Sequence, residues 1–162
     1  MICIGCDPGL KGAIAAIKDG YIITHLFDMP TISHGKSGKQ MVSASGLLEL
    51  FSTIITDNKG EQFACFVEEV GTMPGQGISS AFNFGKGVGI LEACITAKGI
   101  PLHMARPATW KKALGYTSDK EYIRSDIIRK WPSYADFFKR KLDSDRAEAV
   151  AMAMYLWKKE FA

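Results

Sequence analysis

Two spacings of apolar residues alternate along the chain. Met1–Asp7 is almost wholly apolar until its last residue, the pattern of a buried strand. Ala13–Ile17 repeats it, and Tyr21–Met29 follows after Asp19-Gly20, a two-residue hairpin signal. Pro30–Val42, which contains TISHGKSGKQ, is polar, basic and glycine-bearing and reads as a loop. From Ser43 to Asp57 the spacing changes, with Leu47, Leu48, Phe51, Ile54 and Ile55 at helical intervals. Phe63–Val67 is again a short apolar strand, ending at Glu68-Glu69, and GTMPGQGISS is a loop. Ser79–Lys98 predicts a long helix with Gly85, Gly87 and Gly89 along its middle. Each glycine weakens a helix by about 1 kcal/mol relative to Ala, so that face calls for another element packed close. Gly99 ends the helix, Pro101–Ala105 predicts a strand, and Pro107 opens a helix that runs through Leu114. Ser118–Lys130 is the next helix, capped by Ser118 or Asp119. The last spans about Ser144–Lys159, with acids in its first turn and Lys158 and Lys159 in its last, as the helix dipole favours. This order predicts an α/β layered domain in which the last two strands, each preceded by a helix, join the sheet in parallel.

Composition narrows the class. The 162 residues suffice for a single domain (1–162) with its own core, and 47% hydrophobic against 23% charged residues fits a packed globular protein. No apolar run approaches the ~20 residues of a membrane span, and no basic-then-apolar leader opens the chain. A cytoplasmic location without a membrane partner is the expectation. Cys3 and Cys6 have C-x-x-C spacing, but on a strand they point to opposite faces. With Cys65 and Cys94 they read as buried thiols in a reducing compartment rather than as a zinc or redox site.

The net charge of +3 is modest, but its distribution is not even. Between Lys98 and Lys141 eleven lysines and arginines face four acids, whereas the rest of the chain has nine basic and thirteen acidic residues. A basic segment beside an acidic remainder suits a polyanionic partner as well as it suits a solvated helical surface. The acids fall where a sheet would end: Asp7 after the first strand, Glu68 and Glu69 after the fourth, and Asp145 and Glu148 three apart on one face of the last helix. Singly, Asp7 serves as a turn former before Pro8-Gly9. One of Glu68 and Glu69 serves as a solvated strand end, and Asp145 with Glu148 as a capping box. Brought together they would repel unless cations compensate, and hard divalent cations with oxygen ligands are the usual compensation.

IGCDPGLKGAIAAI, FACFVEEV, ARPATWKKALG and SDRAEAVAMAMYL occur in the order and spacing of one known family. In these motifs, over nearly its whole length, the chain resembles the RuvC-type Holliday-junction resolvases, and within them it looks more like the bacteriophage-encoded branch. The resemblance implies an RNase H-like α/β fold: a five-stranded mixed sheet, its first three strands antiparallel, with helices on both faces. It implies a homodimeric crossover junction endodeoxyribonuclease that uses two Mg²⁺, or Mn²⁺ in their place, on four-way (Holliday) and other branched DNA junctions in recombination and repair. The family's acids fall on Asp7, Glu68, Asp145 and Glu148 as metal ligands and catalytic residues. The last is Glu where many relatives have Asp. A basic residue that holds the scissile phosphate falls on Lys111 first and Lys112 second.

Cellular relatives carry an aromatic residue just past the second acid, where this chain has Val70-Gly71-Thr72-Met73. Met73 as an apolar wedge, or Phe82 and Phe84 from the next helix, could take that place. Lys36, Lys39, Met73, Arg106, Lys111 and Lys112 are the expected DNA contacts. Three other functions share parts of this pattern. An RNase H-like nuclease for flaps, forks or RNA–DNA hybrids would use the same acids, and a non-catalytic branched-DNA-binding protein would not need them. An actin-type ATPase opens on a similar Asp-Gly hairpin but needs two such domains.

Overall fold

The computed structural model describes residues 1–35, 38–72 and 75–161. Five strands, β1 (Ile2–Asp7), β2 (Ala13–Lys18), β3 (Ile22–Asp28), β6 (Phe63–Glu68) and β7 (Leu102–Ala105), form one sheet in the order β3-β2-β1-β6-β7. β1, β2 and β3 pair antiparallel, and β6 and β7 join in parallel, as the connections predict. The mixed five-stranded sheet implied by the resemblance is therefore present.

The helices α1 (Ala44–Asp57) and α2 (Ile78–Ala97) cover one face of the sheet. The helices α3 (Pro107–Ala113), α4 (Lys120–Lys130) and α5 (Ser144–Phe161) cover the other. The two-residue period of each strand sorts side chains between these layers. Ile4, Cys6, Cys65 and Val67 pack with α1 and α2, whereas Cys3, Ala64 and Phe66 pack with α5. Cys3 and Cys6 thus lie on opposite faces as expected, and Cys6 meets Cys65 with 3.5 Å between sulfurs. All four cysteines are free and buried. Among the described residues no helix is long and apolar enough to cross a membrane.

Pro30–Val42, expected as a loop, instead contains a two-stranded hairpin, β4 (Thr31–His34) and β5 (Lys39–Val42), paired from Thr31↔Val42 to His34↔Lys39. Its base is closed by Ser43 N donating to the Pro30 carbonyl (2.9 Å), and Gly35 and Gly38 supply the left-handed backbone its tip needs. The polar composition hid it: strands of four residues, exposed for most of their length, have no apolar alternation to show.

The glycines of α2 divide. A side chain at Gly87 would meet Val42 at 3.1 Å, so this glycine seats the hairpin on the helix. Gly85 and Gly89 have nothing within 4 Å, and with the exposed Ile78 they lie on the outer side of α2.

Buried polar networks hold the α4 layer. Asp119 caps α4 by accepting from Glu121 N and Tyr122 N. Asp126, which is buried, accepts from Tyr116 Oη (2.6 Å), Lys130 Nζ (2.5 Å) and the Arg129 guanidinium. Burial alone would raise its carboxyl, but these donors outweigh burial and hold it at about 2. An unfolded Asp titrates near ~3.9, so the stabilisation is fully present above about pH 4 and is lost as the pH falls towards about 2. Asp126→Asn is therefore expected to cost about 2 kcal/mol near neutral pH. Urea melts should show the gap between variant and wild type closing in that acid window, and a gap that does not vary with pH would argue against the network.

Candidate metal centre

The sheet itself brings the acids together. β1 and β6 run parallel with Cys6 opposite Val67, so their C-terminal ends, Asp7 and Glu68, come side by side. Asp7 lies two residues past Gly5 and Glu68 two past Phe66, which puts both carboxylates on the α5 face. Glu69, one residue on, is exposed. Of the two neighbouring glutamates, the backbone thus directs Glu68 inward.

The start of α5 completes the group. A 3₁₀ turn over Lys141–Asp143 leads into the helix, and Asp143 closes the capping box of that turn, accepting from Arg140 N at 2.8 Å. Arg146 forks onto Asp28 at 2.6 and 2.7 Å, which ties the first turn of α5 to the end of β3. The first turn of α5 thereby holds Asp145 and Glu148 over Asp7. Oxygens of Asp7, Asp145 and Glu148 all lie within 4.8 Å of one another. Glu68 stands beside this trio, with its Oε1 accepting from the buried Trp110 indole Nε1 at 2.8 Å.

Two lysines answer the negative charge. Lys111 Nζ donates to Glu148 Oε1 at 2.7 Å. Lys120 Nζ bridges Asp145 Oδ1 at 2.7 Å and Glu148 Oε2 at 2.5 Å. Burial pushes the Asp7 carboxyl well up, and the nearby Glu148, Asp145 and Glu68 add to that, against Lys120. Burial likewise raises the Glu68 carboxyl, while the Trp110 hydrogen bond and Lys111 pull it back. Burial alone would lower the Lys120 ammonium, but its bonds to Asp145 and Glu148 more than reverse this. Four carboxylates, all oxygen donors and partly withdrawn from water, against two lysines form a site short of positive charge. Its donor set suits a hard divalent cation.

Of the expected basic contacts among the described residues, Lys111 is the one paired with a carboxylate of the group; Lys112 and Arg106 are exposed. Lys120 was not singled out in the sequence, where it is one of eleven positive residues in its segment and simply opens a helix. Trp110 gave no signal beyond that of a core aromatic. A cleft of about 930 Å³ opens above the site, between the β1–β2 turn, the β4–β5 hairpin and the N-terminal half of α2. Asp7, Asp145 and Lys120 line it together with Lys11, Lys39, Lys86, Phe82 and Phe84. Lys39 thus belongs to the cleft wall, whereas Lys36 and Met73 lie outside the described residues.

The five-stranded mixed sheet with helices on both faces matches the RNase H-like fold of solved RuvC structures. The structure described as Thermus thermophilus RuvC in complex with Holliday junction substrate superposes with a TM-score of 0.63 at 15% identity, covering 100% of this chain and 96% of that one. A second Thermus thermophilus RuvC structure gives a TM-score of 0.57 at 16% identity, over 96% and 92%. The shared fold extends through the whole chain. No family model matches the sequence, and no curated protein matches it.

Proposed function

We propose that this chain is a divalent-metal-dependent endonuclease that resolves four-way DNA junctions. The observation that carries the proposal is the meeting of Asp7, Asp145 and Glu148 within 4.8 Å on a fold shared end to end with a RuvC bound to a Holliday junction. Asp7, Asp145, Glu148 and Glu68 would supply the oxygen ligands. Two bound Mg²⁺, or Mn²⁺, would lower the pKa of an attacking water and stabilise the leaving 3′ oxygen, giving 5′-phosphate and 3′-hydroxyl ends.

The chain's own residues set the geometry of that reaction. Lys111 and Lys120, already on the carboxylates, offset charge on the non-bridging oxygens of the scissile phosphate. Lys11, Lys39 and Lys86 line the route of the backbone through the cleft, and Phe82 and Phe84 offer flat apolar faces to bases. Two symmetric nicks call for two sites related by a two-fold axis. The outer face of α2, with Ile78 exposed and Gly85 and Gly89 open, is available to a second copy.

The test is cleavage of four-way junctions, forks, flaps, RNA–DNA hybrids and plain duplex, side by side with Mg²⁺ and Mn²⁺. Paired symmetric nicks in the four-way junction, absent from duplex and dependent on added metal, are the expected result. Cutting of flaps or hybrids alone would retain the nuclease chemistry and reject junction resolution. Binding of branched DNA without cutting under every condition would leave only a binding protein. Junction affinity should fall steeply with salt, because Lys11, Lys39, Lys86 and Lys120 line the cleft.

A further inference from the structure

We infer that Trp110 is a positioning residue for Glu68, holding one carboxylate oxygen so that the other is presented to the metal centre. The inference rests on the metal-dependent reading above. Glu68 is the last residue of its strand, half-buried, with an exposed neighbour on its C-terminal side. Its side chain has one more rotatable bond than an Asp, and it stands outside the trio of oxygens formed by Asp7, Asp145 and Glu148. A carboxylate so placed reaches a shared ion only if something fixes its rotamer. The Trp110 indole does so at 2.8 Å.

Trp110 is suited to this because it cannot itself move. It is fully buried in the core under α5, in a helix opened by Pro107. Its ring also carries the Lys111 ammonium at 5.1 Å from the centroid, and that ammonium holds Glu148. Trp110 and Lys111, adjacent in the chain, thus contact two of the four carboxylates. A buried indole needs some acceptor, and a backbone carbonyl is enough for Trp131, which donates to the Tyr21 carbonyl. At Trp110 the acceptor is a candidate ligand, an arrangement typical of the outer shell of metal sites, where loss of such a partner weakens metal binding by about 10–100-fold.

Calorimetric titration of the DNA-free chain with Mn²⁺ tests this. Trp110→Phe keeps most of the ring volume and removes the N–H, so about 10–100-fold weaker Mn²⁺ binding is expected. In a Glu68→Gln background the same substitution should change affinity by less than about twofold, since the coupling has gone. A second readout leaves position 110 intact. In the ¹⁵N-labelled protein the Trp110 indole resonance should move on adding Mg²⁺, and Glu68→Gln should abolish that movement while the Trp131 indole stays unchanged. Wild-type binding of Mn²⁺ by Trp110→Phe, equal losses in both backgrounds, or an indole signal indifferent to bound Mg²⁺ would each overturn the inference. A wild-type chain that binds neither ion would instead overturn the metal-dependent reading, and the inference with it.

Discussion

With Asp7→Asn, cleavage of a four-way junction falls by at least about a thousandfold, some 4 kcal/mol of barrier, while the uncut junction is still bound. Asp7 sits where the sheet strands and α5 converge, so it is the carboxylate that the other three crowd. The amide has the same shape and removes one charge. The cleft lysines Lys11, Lys39 and Lys86 are untouched, which is why binding is expected to persist. The same change has a second signature that needs no DNA. Without metal, the half-buried Asp7 carboxylate is repelled by Glu148, Asp145 and Glu68, so the Asn variant should melt no lower than wild type in chelator. Added Mg²⁺ should raise the melting temperature of wild type and do much less for the variant. Cutting at the wild-type rate, or equal stabilisation of both proteins by Mg²⁺, would remove Asp7 from the site.

Gly5→Ala is expected to have an effect of similar size by another route. A methyl group at Gly5 would come within 2.1 Å of the Ala149 carbonyl oxygen and 2.5 Å of Ala153 N, both backbone atoms of α5. No rotamer change relieves a clash with backbone, so the helix must lift from the sheet. Overpacking of this kind costs about 3 kcal/mol or more. For a chain of this size that corresponds to a fall in melting temperature of roughly 6–12 °C. The lift carries Asp145 and Glu148 away from Asp7, so any protein that still folds should lose its stabilisation by Mg²⁺ and its cleavage together. A variant with an unchanged melting temperature would show that α5 does not need this close approach.

These two expectations separate what is legible along the chain from what is not. The elements were legible because each has a local cause. The apolar runs of β1, β2 and β6 need no partner to be recognised, nor does the helical spacing of α1, the proline that opens α3 or the Asp119 cap of α4. The carboxylates Asp7, Glu68, Asp145 and Glu148 were legible as candidates through the motifs of the family that the chain resembles, since singly each reads equally as a turn former, a strand end or a cap. The β4–β5 hairpin was not, because it is held by backbone pairing and by its seat on Gly87 rather than by any apolar alternation of its own.

What the sequence by itself determined, then, is the order of the five sheet strands and the long helices and the parallel addition of the last two strands, and it marked the acids as candidates. Tertiary structure alone decided which groups meet. Parallel register sets Asp7 beside Glu68, and the absence of a side chain at Gly5 lets α5 lie directly on β1 and deliver Asp145 and Glu148. It decided that Glu68 rather than Glu69 turns inward, that Lys111 rather than Lys112 reaches Glu148, and that Lys120 and Trp110 join the site at all. Spacing along a chain fixes which face of its own element a side chain occupies. Whether two faces from elements 40 or 140 residues apart coincide depends on sheet register and helix approach, which no local pattern records.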